Sequence, residues 1–318
     1  MANTETISRG ASRRSGRDAS RRSGRGSARR PGRSTRSWVP YAYLAPALVL
    51  YGLFLLVPLV RATQFSLFEW DGLGASTFVG FENYVAVFQD ERLRSAFVHA
   101  LVLVFFYAIL PLCIGLVLAA ILTRARVRGM GFFRTIIFLP QVIAMVVVAV
   151  TWRQIYAPDG PLNGLLRLVG LDNLTTAWLG DYTWTLPAVG LIGTWVSTGL
   201  VTVLLMAGMS RIPKELYEAA RLDGAGPVRE FFALTLPSIR GEITVALTLT
   251  IVAALKTFDL VYVTTGGGPG TSTTVPSYEV YRRAFELGEV GAAAAVGVTL
   301  TIIVFAINAV VNRIGDKS

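Results

Sequence analysis

Residues Arg211–Arg240 read RIPKELYEAARLDGAGPVREFFALTLPSIR, the longest polar insertion between two apolar runs of the chain. Pro213 suits the first turn of a helix, where its missing N–H costs nothing, and Ser210 just upstream offers a capping hydroxyl. The spacing predicts a helix to about Leu222, with Ile212, Leu216, Ala219 and Ala220 in one apolar stripe and Lys214, Glu215, Glu218 and Arg221 on the other face. Gly224 ends it, being free to adopt positive φ. Pro227 starts a second short helix in which Val228, Phe231, Phe232 and Thr235 share a face, and Leu236-Pro237 turns the chain into the next apolar run. The expectation is a helix, a glycine turn and a helix lying beside a membrane; taken alone, the pattern also fits an amphipathic surface pair with no partner.

The membrane follows from composition. Of 318 residues, 53% are hydrophobic and 16% charged, against about 25% charged in soluble domains. Ala42–Val60 has 19 residues without a charge, enough to cross a hydrocarbon core of about 30 Å at about 1.5 Å per residue. Ala96–Thr123, Thr135–Trp152, Thr185–Met209, Ile243–Thr265 and Val290–Asn312 make five more runs, with Pro140 expected to kink the third. An all-α polytopic membrane protein with six transmembrane helices is predicted for residues 38–318.

Of the net charge of +10, +9 sits in the first 37 residues, which hold 11 Arg against Glu5 and Asp18; the remainder sets 19 basic against 18 acidic residues. That Arg/Ser/Gly-rich tail repeats SRRSGR at Ser12–Arg17 and Ser20–Arg25 and has no apolar residues for a core, so it is expected to be disordered. Its readings, in order, are a positive-inside signal, contact with anionic membrane lipid, and nucleic-acid binding, the last not expected. Its Arg pairs precede Ser-Gly or Pro-Gly rather than an apolar stretch, which argues against a twin-arginine signal. Basic residues of the tail, Arg124–Arg134, Arg211–Arg240, Arg313 and Lys317 fall on one side if the N-terminus is inside, so both termini are expected in the cytoplasm. Between the fifth and sixth runs, Glu279, Glu286 and Glu289 offset Arg282 and Arg283.

One cysteine, Cys113, and one histidine, His99, leave no disulfide, zinc or haem set to assemble, and no metal or cofactor is expected; His99 reads as an interfacial or packed residue. The only lysines are Lys214, Lys256 and Lys317, none preceded by Gly, so there is no phosphate-binding loop and no ATP hydrolysis is expected of this chain. Gly266–Gly270 reads as a tight or flexible turn.

Glu218-Ala219-Ala220, three residues, Gly224, nine residues and then Leu234-Thr235-Leu236-Pro237 resemble the EAA–Gly–(Ile-x-Leu-Pro) loop of binding-protein-dependent ATP-binding-cassette permeases, with Leu234 where the family usually has Ile. Phe258-Asp259-Leu260-Val261-Tyr262 followed by Thr265-Gly266-Gly267-Gly268-Pro269-Gly270 resembles the sugar-type branch, the maltose and glycerol-phosphate permeases. The resemblance implies a MetI-like permease fold, a role as one permease subunit of a sugar importer in the bacterial cell membrane, and four kinds of contact: a second permease, two ATP-binding subunits, an extracytoplasmic solute-binding protein and membrane lipid. It implies that Glu218, Ala219, Ala220, Gly224, Leu234, Leu236 and Pro237 engage the ATP-binding subunit. The alternatives are a permease for another solute, such as glycerol phosphate, and a secondary transporter; against the latter, only Asp259 supplies an acid within a run and no internal repeat is present.

Lys256 and Asp259 enter the fifth run after 13 uncharged residues, Ile243–Leu255, and ionisable groups at membrane depth usually face a bundle interior or water. If the helix continues, Lys256 and Asp259 lie about 60° apart around it, and Phe258 and Tyr262 share a face at i, i+4. These four residues are the candidate substrate pathway; equally, both charges could meet the membrane interface at the end of the run. Deleting residues 2–36 is expected to leave uptake largely intact, because the basic residues of Arg124–Arg134 and Arg211–Arg240 preserve the orientation. Lost uptake at normal membrane levels of the shortened chain would give the tail a role in transport.

Overall fold

The computed structural model describes residues 39–124 and 129–316. The expectations placed on residues 1–37, Arg126, Arg128 and Lys317 lie outside the described residues. The chain divides into two compact units, Met1–Leu50 and Tyr51–Ser318. In the first, the described residues are helical from Val39 onward.

Four helices are long and apolar enough to cross a membrane: Tyr43–Phe65, Glu91–Thr123, Thr185–Met209 and Val290–Gly315. Two bent pairs bring the number up to six, Gly131–Val142 with Met145–Ile155 at 96° and Pro227–Ser238 with Arg240–Leu255 at 69°. The polar stretch after the first span holds a two-stranded antiparallel ladder, β1 (Phe68–Glu69) and β2 (Thr77–Phe78), with Phe68 opposite Phe78.

Thr185–Met209, the fourth span, is the centre of the second unit and packs against Leu110–Arg124 and Met130–Val142. Its small residues allow close approach in a setting where apolar surface alone does not draw helices together. A Cβ at Gly193 would overlap the Tyr107 ring, one at Gly190 the Phe106 ring, and one at Gly199 the Ile137 carbonyl oxygen. Phe105–Ile109 is a π-helical turn within the second span. There the Phe106 carbonyl accepts a 2.6 Å hydrogen bond from Thr194 Oγ1, so the irregular turn is tied to the central helix.

The third span breaks at a different place from that expected. Pro140 lies inside Met130–Val142, and the chain turns at Ile143 and Ala144, whose ψ values of 135° and 132° are incompatible with helix. Proline removes one N–H and weakens the ladder of its turn, but two consecutive non-helical residues are needed to redirect the axis.

Glu279 is fully buried and draws together segments distant in sequence. It accepts from Arg92 Nε at 2.6 Å and lies 3.5 Å from Arg282 Nη1, while Arg283 reaches Asp90 at 2.6 Å and Glu289 at 3.0 Å. Glu279 and Glu289 thus offset the two arginines as expected, and Asp90 and Arg92, from the start of the second span, complete the group. Removing one member of a buried pair strands the others, at about 3–5 kcal/mol, whereas an exposed pair contributes about 0–1 kcal/mol. Glu279→Ala is therefore expected to lower the thermal midpoint of the purified protein sharply and Glu289→Ala barely; equal shifts would contradict the assignment.

Candidate functional site

Lys214–Leu222 is helical and Pro213, with ψ 137°, stands just before it as the N-cap residue rather than inside its first turn. Ser210 does not cap this helix: its hydroxyl donates to Met206 O at 2.7 Å and finishes the preceding span. Three residues of non-helical chain, Arg211, Ile212 and Pro213, separate Ser210 from the helix, too far for the capping geometry.

At the other end Gly224 has φ +78°. Its N–H bonds Arg221 O at 3.0 Å and the Ala225 N–H bonds Ala220 O at 2.9 Å, a Schellman turn that satisfies two terminal carbonyls. Gly226 then precedes Pro227–Glu230, which runs through a π turn, Phe231–Thr235, into Leu236–Ser238. The wider turn divides the predicted Val228, Phe231, Phe232, Thr235 face: Thr235 is buried and Phe231 half-buried, while Val228 and Phe232 are exposed.

Two contacts clamp the helices together. Arg221 Nε donates to Glu230 Oε1 at 2.8 Å, and the Tyr217 and Thr235 hydroxyls lie 3.0 Å apart. Glu230 is only 2% exposed, and the hydrogen bond it accepts raises the already high pKa of Arg221. Arg221 thus joins the clamp while its side chain stays largely exposed. Glu215, Glu218 and Ala219 are outward as well, with Leu216, Val228, Phe232 and the 89% exposed Leu222 around them. Ala220, Leu234, Leu236 and Pro237 are half-buried behind that surface. A cavity of about 560 Å³ lies between Tyr217 and Glu218 on one side and Thr123, Met209 and Phe231 on the other.

In the fifth span the helix Arg240–Leu255 stops at Lys256 and a new one begins at Asp259. Phe258, at φ −134° and ψ −61°, marks the break. Lys256 therefore follows the end of one helical segment and Asp259 starts the next, and no ion pair within 4.0 Å joins them among the described residues, against the expected 60° neighbourhood on one helix. Both are exposed, and with Tyr107, Met145, Thr257 and Phe258 they line a cavity of about 350 Å³. The Tyr107 and Thr257 hydroxyls, 3.1 Å apart, connect the break to the π turn of the second span.

The Phe258 and Tyr262 rings stack at 5.3 Å and 20°. Tyr281 joins them at 5.4 Å from Phe258 and 5.2 Å from Tyr262, and Phe285 lies 5.4 Å beyond Tyr281. Sequence reading missed the last two, which belong to a separate segment, Pro276–Glu286; the i, i+4 spacing of Tyr281 and Phe285 was their only signal. It also missed Asn163, whose buried amide bonds Pro158 O and Thr176 O and accepts from Trp178 Nε1, anchoring the Tyr156–Trp184 loop. His99 is packed, its Nδ1 2.9 Å from Thr274 O. Gly266, Gly267 and Gly270 all have positive φ in the turn predicted there, cross-linked by Thr265 and Thr273 hydroxyls 2.8 Å apart.

A family model described as the binding-protein-dependent transport system inner membrane component matches residues 111–317. The "Probable ABC transporter permease protein YurN" of Bacillus subtilis is 40% identical over 273 residues, 85% of this chain and 93% of its own length. The diacetylchitobiose uptake system permease protein NgcF of Streptomyces coelicolor is 35% identical over 290 residues, 86% of this chain and 82% of its own. Among solved structures, a chain of the bacterial alginate ABC transporter, in complex with alginate pentasaccharide-bound periplasmic protein, superposes with TM-score 0.76 at 25% identity, covering 89% of this chain and 96% of that one. With its helical architecture of up to six candidate spans and the matched model, this chain belongs to the family of binding-protein-dependent transport system inner membrane components and has the MetI-like permease fold.

Proposed function

We propose that this chain is a permease subunit of an ATP-driven sugar importer, forming half of the translocation pathway beside a second permease. Two ATP-binding subunits supply the energy and an extracytoplasmic solute-binding protein delivers the cargo. The observation that carries this reading is the clamped helix pair of Arg211–Arg240. Arg221–Glu230 and Tyr217–Thr235 make the pair one rigid piece, and its outward surface, Glu215, Glu218 and Ala219 among exposed leucines and Phe232, offers both charge and apolar area to a soluble subunit. Movement of that subunit then moves the loop and the spans joined to it. Glu218, Ala219, Ala220 and Gly224 form or shape the contact, and Leu234, Leu236 and Pro237 back it.

A saccharide cargo is supported by likeness to a diacetylchitobiose uptake permease and to an alginate transporter. Lys256, Phe258, Asp259 and Tyr262 line the path, where aromatic faces meet ring C–H groups and polar atoms meet hydroxyls. Both termini are cytoplasmic, on the side of the basic Arg211–Arg240 loop.

Gly224→Val is expected to abolish most uptake at unchanged membrane levels, since a β-branched residue at φ +78° is strained. Gly224→Asn, which tolerates that conformation, is expected to retain it. Comparable uptake by the Val variant would remove the turn from coupling.

Because no ion pair links Lys256 to Asp259, their alanine substitutions are expected to act independently. A double-mutant cycle on uptake should show coupling within about 0.5 kcal/mol; rescue of Asp259→Ala by Lys256→Ala would mean that the two charges pair during transport.

A further inference from the structure

Four aromatic rings run in a continuous file from the break in span five to the connection between spans five and six. Phe258 stacks on Tyr262, Tyr281 lies against both, and Phe285 continues the file from Tyr281, each step between 5.2 and 5.4 Å. Phe258 rests against the core, but the file does not close over: Tyr262 is 44% exposed and Phe285 78%. At its inner end the file opens on the cavity that Phe258 lines together with Lys256 and Asp259. Leading to Phe285, the segment is fixed by the buried Glu279 and its arginines, so the file has a rigid footing.

Aliphatic side chains would give equal apolar burial, so what a row of half-exposed rings adds is flat faces. Pyranose rings present flat C–H faces with a rim of hydroxyls, and the Tyr262 and Tyr281 phenols put hydrogen-bonding groups beside the faces. Successive rings at this spacing let a sugar leave one face as it meets the next, which suits passage better than tight binding at one place.

We infer that Tyr281 and Phe285 form the outer part of a saccharide-stacking track that hands pyranose units to Tyr262 and Phe258 and so into the cavity at Lys256 and Asp259. This rests on the sugar-import reading above. The track explains why the aromatic pair on span five is matched by a second pair from a different segment. It also assigns a role to Phe285, a large apolar side chain that is otherwise left largely uncovered.

The test uses the complete importer, with its second permease, ATP-binding subunits and solute-binding protein, in proteoliposomes. Radiolabelled maltose, trehalose and N,N′-diacetylchitobiose are the probes, and uptake is measured alongside ATP hydrolysis at saturating binding protein. Phe285→Leu and Tyr281→Leu keep apolar bulk but lose the flat face, and are expected to lower sugar carried per ATP hydrolysed by about five-fold, with hydrolysis within about two-fold of wild type. Phe285→Trp and Tyr281→Phe should restore the ratio. Leucine variants that keep the wild-type ratio would overturn the track. Equal loss of uptake and hydrolysis in leucine and aromatic variants alike would overturn it too, making these side chains packing against a partner subunit. If wild type carries none of the three saccharides but does carry sn-glycerol 3-phosphate, the sugar reading itself fails and the track with it.

Discussion

Inside hydrocarbon a backbone N–H or C=O without a partner costs several kcal/mol, so a chain can depart from regular helix only where protein covers the departure. Two irregular places, in the second and fifth spans, obey that constraint. The π turn at Phe105–Ile109 gives its Phe106 carbonyl to Thr194. The gap at Lys256–Phe258 places Thr257 against Tyr107, and the Lys256 and Thr257 N–H groups still bond Val252 and Ala254 carbonyls at 3.1 and 3.2 Å. The π turn presses on the fourth span, whose Gly190 and Gly193 leave room for Phe106 and Tyr107. A larger residue at either glycine would push that turn off the span, and with it the Tyr107 hydroxyl that meets Thr257.

The polar loop Arg211–Arg240 secures its short helices by a different route. Its two helices are too short to be stable alone, since a helix nucleus is costly and few hydrogen bonds follow it. A Schellman turn at Gly224 fixes the angle between them, and the buried Glu230 carboxylate on Arg221 holds the second helix against the first. Burying a carboxylate confers little net stability, but a misplaced partner would leave it uncompensated, so the arrangement favours one geometry strongly over its neighbours. That is the property required of a piece that must transmit displacement without bending.

Much of this was legible in the sequence. Four of the six apolar runs match helices long enough to span, and the bent pairs bring the number up to six, because length and hydropathy are properties of single segments. Gly224 and Pro227 marked the turn and the restart, each by its own backbone restriction. What failed were inferences that needed one helix to know about another. Arg221 read as a free charge on an open face, and exposed it is, yet Glu230, nine residues on, occupies its guanidinium. Lys256 and Asp259 read as neighbours because the helix was extended through them, whereas the Phe258 break separates them. Tyr281, Phe285 and Arg92 acquire their surroundings from residues far along the chain, and no local spacing announces such contacts.

Position along the chain also joins the loop to the break. From Pro237 the chain passes through Ile239, fully buried, into Arg240–Leu255, so the first half of span five is the direct continuation of the clamped pair. Its far end is Lys256, where regular helix stops. The segment beyond, Asp259–Thr264, packs instead on Met145–Ile155, and so belongs mechanically to the outer half of the bent third span. On the proposed reading, a push on the loop therefore travels along one stiff helix about 24 Å long, at about 1.5 Å per residue, and arrives at three non-helical residues between a moving and a held segment. A few backbone torsions at Lys256–Phe258 can absorb such a displacement, as hinges at element ends do. The cavity beside them is bounded by residues from both sides of that gap, Leu249 and Val252 on one and Asp259 and Leu260 on the other. On that reading, a change in their separation changes the shape of the path itself, and a displacement at the polar loop reaches the solute without any residue of the loop touching it.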